Sequence, residues 1–512
     1  MSAEASSRPA VASTKPSDSK GTHFDVIVVG AGFAGIGAAI KLREAGFTYL
    51  VLEKASELGG VWRDNSYPDC ACDVPSSFYS YSFAPKPDWS HFFAHRDEIK
   101  RYAADTAETF GVTDSILFGC ELLNARWQKD EARWELETSA GEYSARFVVM
   151  ASGPMHEPVT PTIPGMSSFP GVTFHSARWN HELDLSGKRV AVIGTGASAI
   201  QFVPAIQSQV KQLTVFQRTA PWVLPKLDAR VPARWQRRFE RYPILQRLLR
   251  RALYAQFEFL NWSVKHQRLR KRLEDAAKRN AYRSVKDPEL RARVVPDYAI
   301  GCKRILQSND WYRALAKENV AVVGGVREVD GNTLVSSDGT RCEADVVVFA
   351  TGFQVANPPI AERIVGESGI PLAELWKGSP EAYLGTTVPD CPNCFLALGP
   401  NLYAFSSAFV MIEAQLRYIL SVLEEARTKD LGVLSVRPQS HAGFNRLLQE
   451  SLQASVFNAG GCTSYFIDKN GRNSTNWPWS TFYLRSRLRR VDLKDYDATN
   501  HGGRGSHEVP SR

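Results

Sequence analysis

Apolar and polar positions along this chain follow two alternating rhythms. Residues 23–29 are a short apolar run ending in glycines, and 36–43 carries apolar residues at helical spacing. Residues 49–53 form a second apolar run. Strand, turn, helix and strand within about 30 residues predict a βαβ unit. From 117 to 149 the pattern alternates, with turn signals at Lys129-Asp130 and Ala140-Gly141. That pattern predicts antiparallel strands leading into the apolar run 147–153. Residues 154–171 are rich in Pro and Gly and read as a linker. A second βαβ unit is predicted from Lys188, with 213–217 as its second strand. Residues 230–293 switch to an amphipathic, basic, helical pattern. Strand signals return near 320–323 and 345–350, and a helix is predicted around 408–426. The duplicated βαβ unit is the internal repeat.

These elements predict an α/β fold with two Rossmann-like dinucleotide-binding domains. The first domain takes residues 23–155 and 353–495. The second takes 156–352 and includes a helical insertion at 230–296. Residues 1–22, rich in Ser, Ala, Pro and Lys, and residues 496–512 read as disordered tails. No apolar run exceeds roughly seven residues, far short of a membrane span. Eight cysteines in 512 residues do not form a disulfide framework, which points to a reducing cytosol.

Charge changes the picture at one place. Between Arg230 and Arg293 there are 19 Lys/Arg against 6 Asp/Glu, a surplus larger than the +8 of the whole chain. Such a surplus suits an anionic partner, either nucleic acid or a membrane surface. It equally suits solvated helices near a phosphate-bearing cofactor. The second reading is preferred, because no nucleic-acid motif accompanies the charge.

The glycines carry the first chemistry. In Asp25-Val-Ile-Val-Val-Gly30-Ala-Gly32-Phe33-Ala-Gly35, Gly30 permits the tight turn and Gly32 admits a pyrophosphate. Gly35 lets the helix pack against the strand, and the helix N-terminus faces the phosphates. Glu53 ends the next strand, placed to accept hydrogen bonds from ribose hydroxyls. The second fingerprint is Arg189-Val-Ala-Val-Ile-Gly194-Thr195-Gly196-Ala197-Ser198-Ala199, with Ala199 where a third glycine often stands. Its second strand ends in Gln217-Arg218-Thr219 rather than an acid. An acid would repel a 2′-phosphate, whereas Arg218 can pair with it bidentately, so NADPH is expected.

Between the fingerprints lies Phe169-Pro-Gly171-Val-Thr-Phe-His175-Ser-Ala-Arg-Trp179. Before it stands Gly59-Gly60-Val-Trp62, followed by Tyr67-Pro68 and Asp73. With Pro296–Arg304, Ala350-Thr-Gly-Phe353 and Gly399-Pro-Asn401, these segments resemble the type I Baeyer–Villiger monooxygenases, class B flavoproteins. The resemblance runs from about residue 24 to 490. It departs at Asn180, where the family usually has Pro or Asp, and at Asp69, where Gly or Met is common. It implies FAD on the first unit, with Phe33, Gly60, Trp62, Tyr67 and Asp73 beside it, and NADPH on the second. It also implies that NADPH reduces the flavin and that oxygen adds at C4a. The resulting peroxide is held deprotonated and attacks a ketone, and one oxygen is inserted to give an ester or lactone. Sulfoxidation is an implied side activity.

Arg304 matches the family's catalytic arginine, and Asp73 the acid that orients it. Lys303 matches a position that helps bind the 2′-phosphate. His175 and Trp179, with Phe169 and Gly171, match a linker motif that gates domain rotation rather than touching substrate. Tyr403, Phe405 and Phe409 are candidates for the substrate pocket, with core packing as the equal alternative. Cys391-Pro-Asn-Cys394 has redox-pair spacing but precedes an apolar strand-like run, so it is read as structural. No metal-ligand cluster has convincing spacing. The alternatives are an N- or S-hydroxylating flavin monooxygenase and an electron-transfer flavoprotein. The expected partner is a small-molecule ketone or sulfide, with no nucleic acid and no integral membrane segment. The chain is expected to be cytoplasmic and a monomer or weak homo-oligomer.

Overall fold

The computed structural model describes residues 22–500. Residues His23–Val29, Tyr49–Glu53 and Gly141–Met150 pair in parallel at the centre of an eight-stranded sheet. Val26, Ile27 and Val28 are fully buried, because helices and strands cover both faces and the strand must be apolar throughout. The antiparallel strands Leu122–Gln128 and Arg133–Thr138 extend this sheet on one side. Two late strands join it, Ile364–Val365 and Cys394–Leu396. The helix Phe33–Glu44 is apolar almost all round, because it lies between the sheet and the helix Ala408–Thr428. A side chain at Gly37 would strike Leu416 at 2.8 Å, so that packing requires glycine. Ser407 caps the second helix by accepting a hydrogen bond from Phe409 N.

A second, fully parallel sheet runs in the order Val320–Val323, Gln212–Phe216, Arg189–Ile193, Val346–Phe349, Val172–His175. An antiparallel three-stranded unit spanning 326–343 precedes its strand Val346–Phe349. Four helices, Ala233–Arg241, Pro243–Ser263, Gln267–Ser284 and Pro288–Val294, occupy the basic segment. No helix among the described residues is long and apolar enough to cross a membrane.

Two expectations need correcting. Residues Tyr496–Asn500, expected to begin a disordered tail, form a strand antiparallel to Leu431–Val436. Tyr496 anchors it, because its buried ring carries a hydroxyl bonded to Tyr418 and Thr387. The other tail positions, 1–21 and 501–512, lie outside the described residues. The second correction concerns cysteine. Cys302 and Cys462 form a disulfide, while the other six cysteines are free and buried. The partners lie 160 residues apart, so spacing could not reveal them. The fold joins their segments through Ala299 N bonded to Gly460 O at 2.9 Å. A side chain at Gly460 would sit 2.6 Å from Cys302 Cβ, so glycine makes room for the bridge.

Candidate active site

The site is a cavity of about 520 Å³ between the two sheets, within the range of cofactor and ligand pockets. Its wall includes Gly30, Gly32, Phe33, Glu53, Gly60, Trp62, Tyr67 and Asp73 from the first half of the chain. Ala197, Ser198 and Arg304 reach it from the second unit, and Tyr403, Phe405 and Phe409 from the later segment. Gly30 sits at φ +108°, a backbone that disfavours any side chain, and a Cβ there would lie 2.6 Å from Ala151 O. Gly35 does not line the cavity. A Cβ there would lie 1.8 Å from Gly30 O, so it serves the close helix–strand packing. Glu53 is buried and accepts from Ala31 N at 2.8 Å and Arg63 Nη1 at 2.9 Å. Arg63 was not singled out from the sequence.

Arg304 stands in the cavity wall beside Tyr403. Its Nε donates to Asp73 Oδ2 at 2.8 Å, and Nη2 donates to the same oxygen. Its guanidinium lies 5.5 Å from the Tyr403 ring. About a quarter of the Arg304 side chain remains accessible, so the charge can still meet a ligand. Burial opposes that charge, but Asp73, Tyr403 and Tyr465 outweigh burial and raise the guanidinium pKa above its ordinary value. Burial also raises the Tyr403 hydroxyl, so it stays protonated. Tyr465 was missed. It follows Cys462 by three residues, and the disulfide to Cys302 brings its segment beside Lys303 and Arg304.

A second group of cations lies at the other nucleotide unit. Lys303 Nζ donates to Thr219 Oγ1, and Thr195 Oγ1 donates to Thr219 O at 3.4 Å. Burial and then the neighbouring Arg218 lower the Lys303 pKa. Neither Arg218 nor Lys303 makes an ion pair among the described residues. A Cβ at Gly196 would meet no atom within 4 Å, so the turn is open to a ligand. Two close cations outside any ion pair, next to an open glycine turn, suit a phosphate.

The linker motif touches neither group directly. Trp179 packs 5.2 Å from Phe174 and 5.1 Å from Phe202, and Phe202 packs 6.0 Å from Tyr67. This row of rings connects the linker, the second unit's helix and the cavity wall. Gly171 is obligatory: a Cβ there would lie 2.3 Å from Asp345 O and 2.6 Å from the buried Phe169 ring. His175 Nδ1 accepts from Ala177 N at 3.1 Å, and its Nε2 is buried without a hydrogen-bond partner.

Burial, then Arg178, pulls the His175 pKa from 6.5 down to about 4. The ring is therefore neutral near pH 7 and is no general acid. Between pH 6.5 and 4 the unfolded chain holds a proton there that the folded chain does not, so stability falls as pH falls through that window. The loss reaches up to about 3 kcal/mol. Denaturant melts of His175→Gln should show a shallower decline from pH 7 to pH 5 than the parent. Parallel declines would contradict the buried neutral ring.

Other expectations resolve by burial. Phe409 has no surface exposed to bulk solvent and packs 4.7 Å from Phe33 and 5.0 Å from Tyr79 where it meets the cavity. Phe405 is nearly buried and stacks on Phe457 at 5.6 Å. Cys391 and Cys394 are free, buried and absent from the cavity, and burial pushes Cys394 up to about 12. Asp69 stands at φ +61°, in the left-handed region that favours glycine. Asn180 Oδ1 accepts from Glu182 N at 3.1 Å, a turn that an Asp would also make.

Two nucleotide units, an open phosphate corner and a partly buried arginine–carboxylate pair define a two-cofactor oxidoreductase. Residues 27–251 match the pyridine nucleotide-disulphide oxidoreductase family. A Baeyer-Villiger monooxygenase of Streptomyces coelicolor is 47% identical over 93% of this chain and 92% of its own. Another, from Pseudomonas aeruginosa, is 41% identical over 95% and 94%. The crystal structure of OTEMO in complex with FAD and NADP superposes with a TM-score of 0.84 at 25% identity, covering 93% of this chain and 99% of that one. The chain belongs to the Baeyer–Villiger monooxygenase family and is an FAD- and NADPH-dependent monooxygenase that uses molecular oxygen.

Proposed function

We propose that this enzyme inserts one oxygen beside the carbonyl of a small apolar ketone, with Arg304 as the catalytic residue and Asp73 as its positioning partner. The observation that carries this reading is the Arg304–Asp73 pair, partly buried in the wall of the same cavity as the Gly30–Gly32 turn. Bound FAD, once reduced by NADPH, supplies the activated oxygen. Arg304 donates hydrogen bonds to the negative charge that builds on oxygen as the carbonyl is attacked. It cannot surrender its proton at working pH, so it never quenches that charge. Asp73 takes Nε and Nη2 and leaves the remaining guanidinium edge free for the reacting oxygen. Tyr403, over the guanidinium, and Phe405 supply a wall for the substrate.

Gly30, Gly32, Phe33, Glu53, Gly60, Trp62 and Tyr67 are assigned to FAD, with Gly35 supporting the turn. Gly194–Ser198, Arg218, Thr219 and Lys303 are assigned to NADPH. Phe169, Gly171, His175 and Trp179 are assigned to gating. The continuity of each sheet supports a flavin domain of 23–155 and 353–495 and a nicotinamide domain of 156–352. A cytoplasmic enzyme, monomeric or weakly associating, completes this reading; six free, buried thiols beside the single Cys302–Cys462 bridge support the reducing compartment.

NADPH consumption across a panel of ketones and sulfides, with products identified by mass spectrometry, tests the activity. Esters or lactones from ketones are expected, with sulfoxides as minor products. Sulfoxides alone would contradict the reading. Asp73→Asn should lower ketone turnover about 10–100-fold by loosening the arginine. Sulfide oxidation should fall less, because sulfur attack needs no anionic oxygen. Equal losses on both substrates would contradict the positioning role.

A further inference from the structure

The helix Pro243–Ser263 has two apolar faces, and only one of them is covered. Its inner face carries Leu253, which is buried, and Phe257 and Leu260, which line the cavity. Its outer face carries Ile244, Leu248, Ala255, Phe259 and Trp262. Steps of 4, 7, 4 and 3 residues put these five on one stripe of an α-helix. Ile244 is 54% exposed, Leu248 51%, Phe259 58% and Trp262 49%. Single exposed apolar residues are ordinary, but a stripe along five turns of one helix marks an interaction surface.

The charge around the stripe identifies what covers it. Arg247 and Arg251 flank it and are exposed. The preceding helix, Ala233–Arg241, adds Arg234, Arg237, Arg238 and Arg241, also exposed. None of these six makes an ion pair among the described residues. A second copy would bring like charge onto like across a two-fold axis. Nucleic acid would match the charge but leave the Ile, Leu and Phe side chains against a polar groove. An anionic bilayer surface matches both, with arginines at the headgroups and the apolar stripe at the acyl boundary.

We propose that the outer face of this helix docks the enzyme on anionic phospholipid membranes, a peripheral contact separate from the catalytic residues. One helix then stands between the bilayer and the cavity, and an apolar ketone dissolved in lipid would lie close to the site that oxidises it.

Vesicle co-sedimentation of the flavin-loaded, full-length enzyme tests this surface. The vesicles are phosphatidylcholine alone or phosphatidylcholine mixed with phosphatidylglycerol. Binding to the mixed vesicles but not to phosphatidylcholine alone is expected. The double variant Leu248→Glu/Phe259→Glu and the double variant Arg247→Glu/Arg251→Glu should each lower the bound fraction roughly tenfold or more. Both should keep the parent's flavin content and its turnover of a small water-soluble ketone. Absence of binding by the parent enzyme would overturn the proposal, as would binding that neither double variant weakens. A concentration-dependent dimer that Leu248→Glu/Phe259→Glu dissolves would also overturn it, by making a second copy the occupant.

Discussion

Arg304→Ala is expected to cut ester formation from ketones by about 10²–10³-fold while NADPH still reduces the flavin. The magnitude follows from what the side chain does. It is a preorganised donor held in place by Asp73, and charge builds beside it only as the carbonyl is attacked. The loss should therefore appear in kcat more than in KM. Removal also leaves the Asp73 carboxylate without its partner inside the wall, which costs stability. Arg304→Lys separates the two effects. It keeps a charge near Asp73 but lacks the fork that bonds carboxylate and substrate oxygen together. Stability should largely return in this variant, while ester formation stays well below that of the parent. Stopped-flow flavin reduction and product yield, measured on the same variants, check both parts. Ketone oxidation at parental rates by Arg304→Ala would refute the assignment.

The second large effect concerns the choice of nicotinamide. Arg218→Ala should lower kcat/KM for NADPH about 10–100-fold, since a charge-assisted bond to phosphate is worth about 1.5–3 kcal/mol. Adding Lys303→Ala should deepen the loss, because both cations converge on the corner at Thr219. Efficiency with NADH, which lacks the 2′-phosphate, should change little. The ratio of the two efficiencies is the readout. A fall with both coenzymes alike would mean that these residues hold the fold rather than the phosphate.

Much of this was legible in the chain before its structure, for definite physical reasons. Glycines that must adopt φ near +110°, as Gly30 and Gly194 do, cannot be replaced without strain, so the turns announce themselves. Buried parallel strands must be apolar throughout, so 23–29 and 189–193 were readable as runs. The pairing of Asp73 with Arg304 was different. Their 231-residue separation carries no local signal, and only the resemblance to a family brought them together. Tyr465 and the Cys302–Cys462 bridge had neither periodicity nor a shared motif, so they became visible only once the segments 299–304 and 460–466 lay side by side. The stripe on the helix Pro243–Ser263 hid for another reason. The segment 230–293 reads as amphipathic, basic, solvated helices, and only exposure separates the inner apolar face of this helix from the outer one.

The most direct test is to turn over a ketone with NADPH under ¹⁸O₂ and locate the label in the product by fragment mass spectrometry. One ¹⁸O in the bridging position of an ester or lactone is the predicted result. Unlabelled product, or NADPH consumed across every ketone tried with hydrogen peroxide as the sole oxygen product, would contradict it.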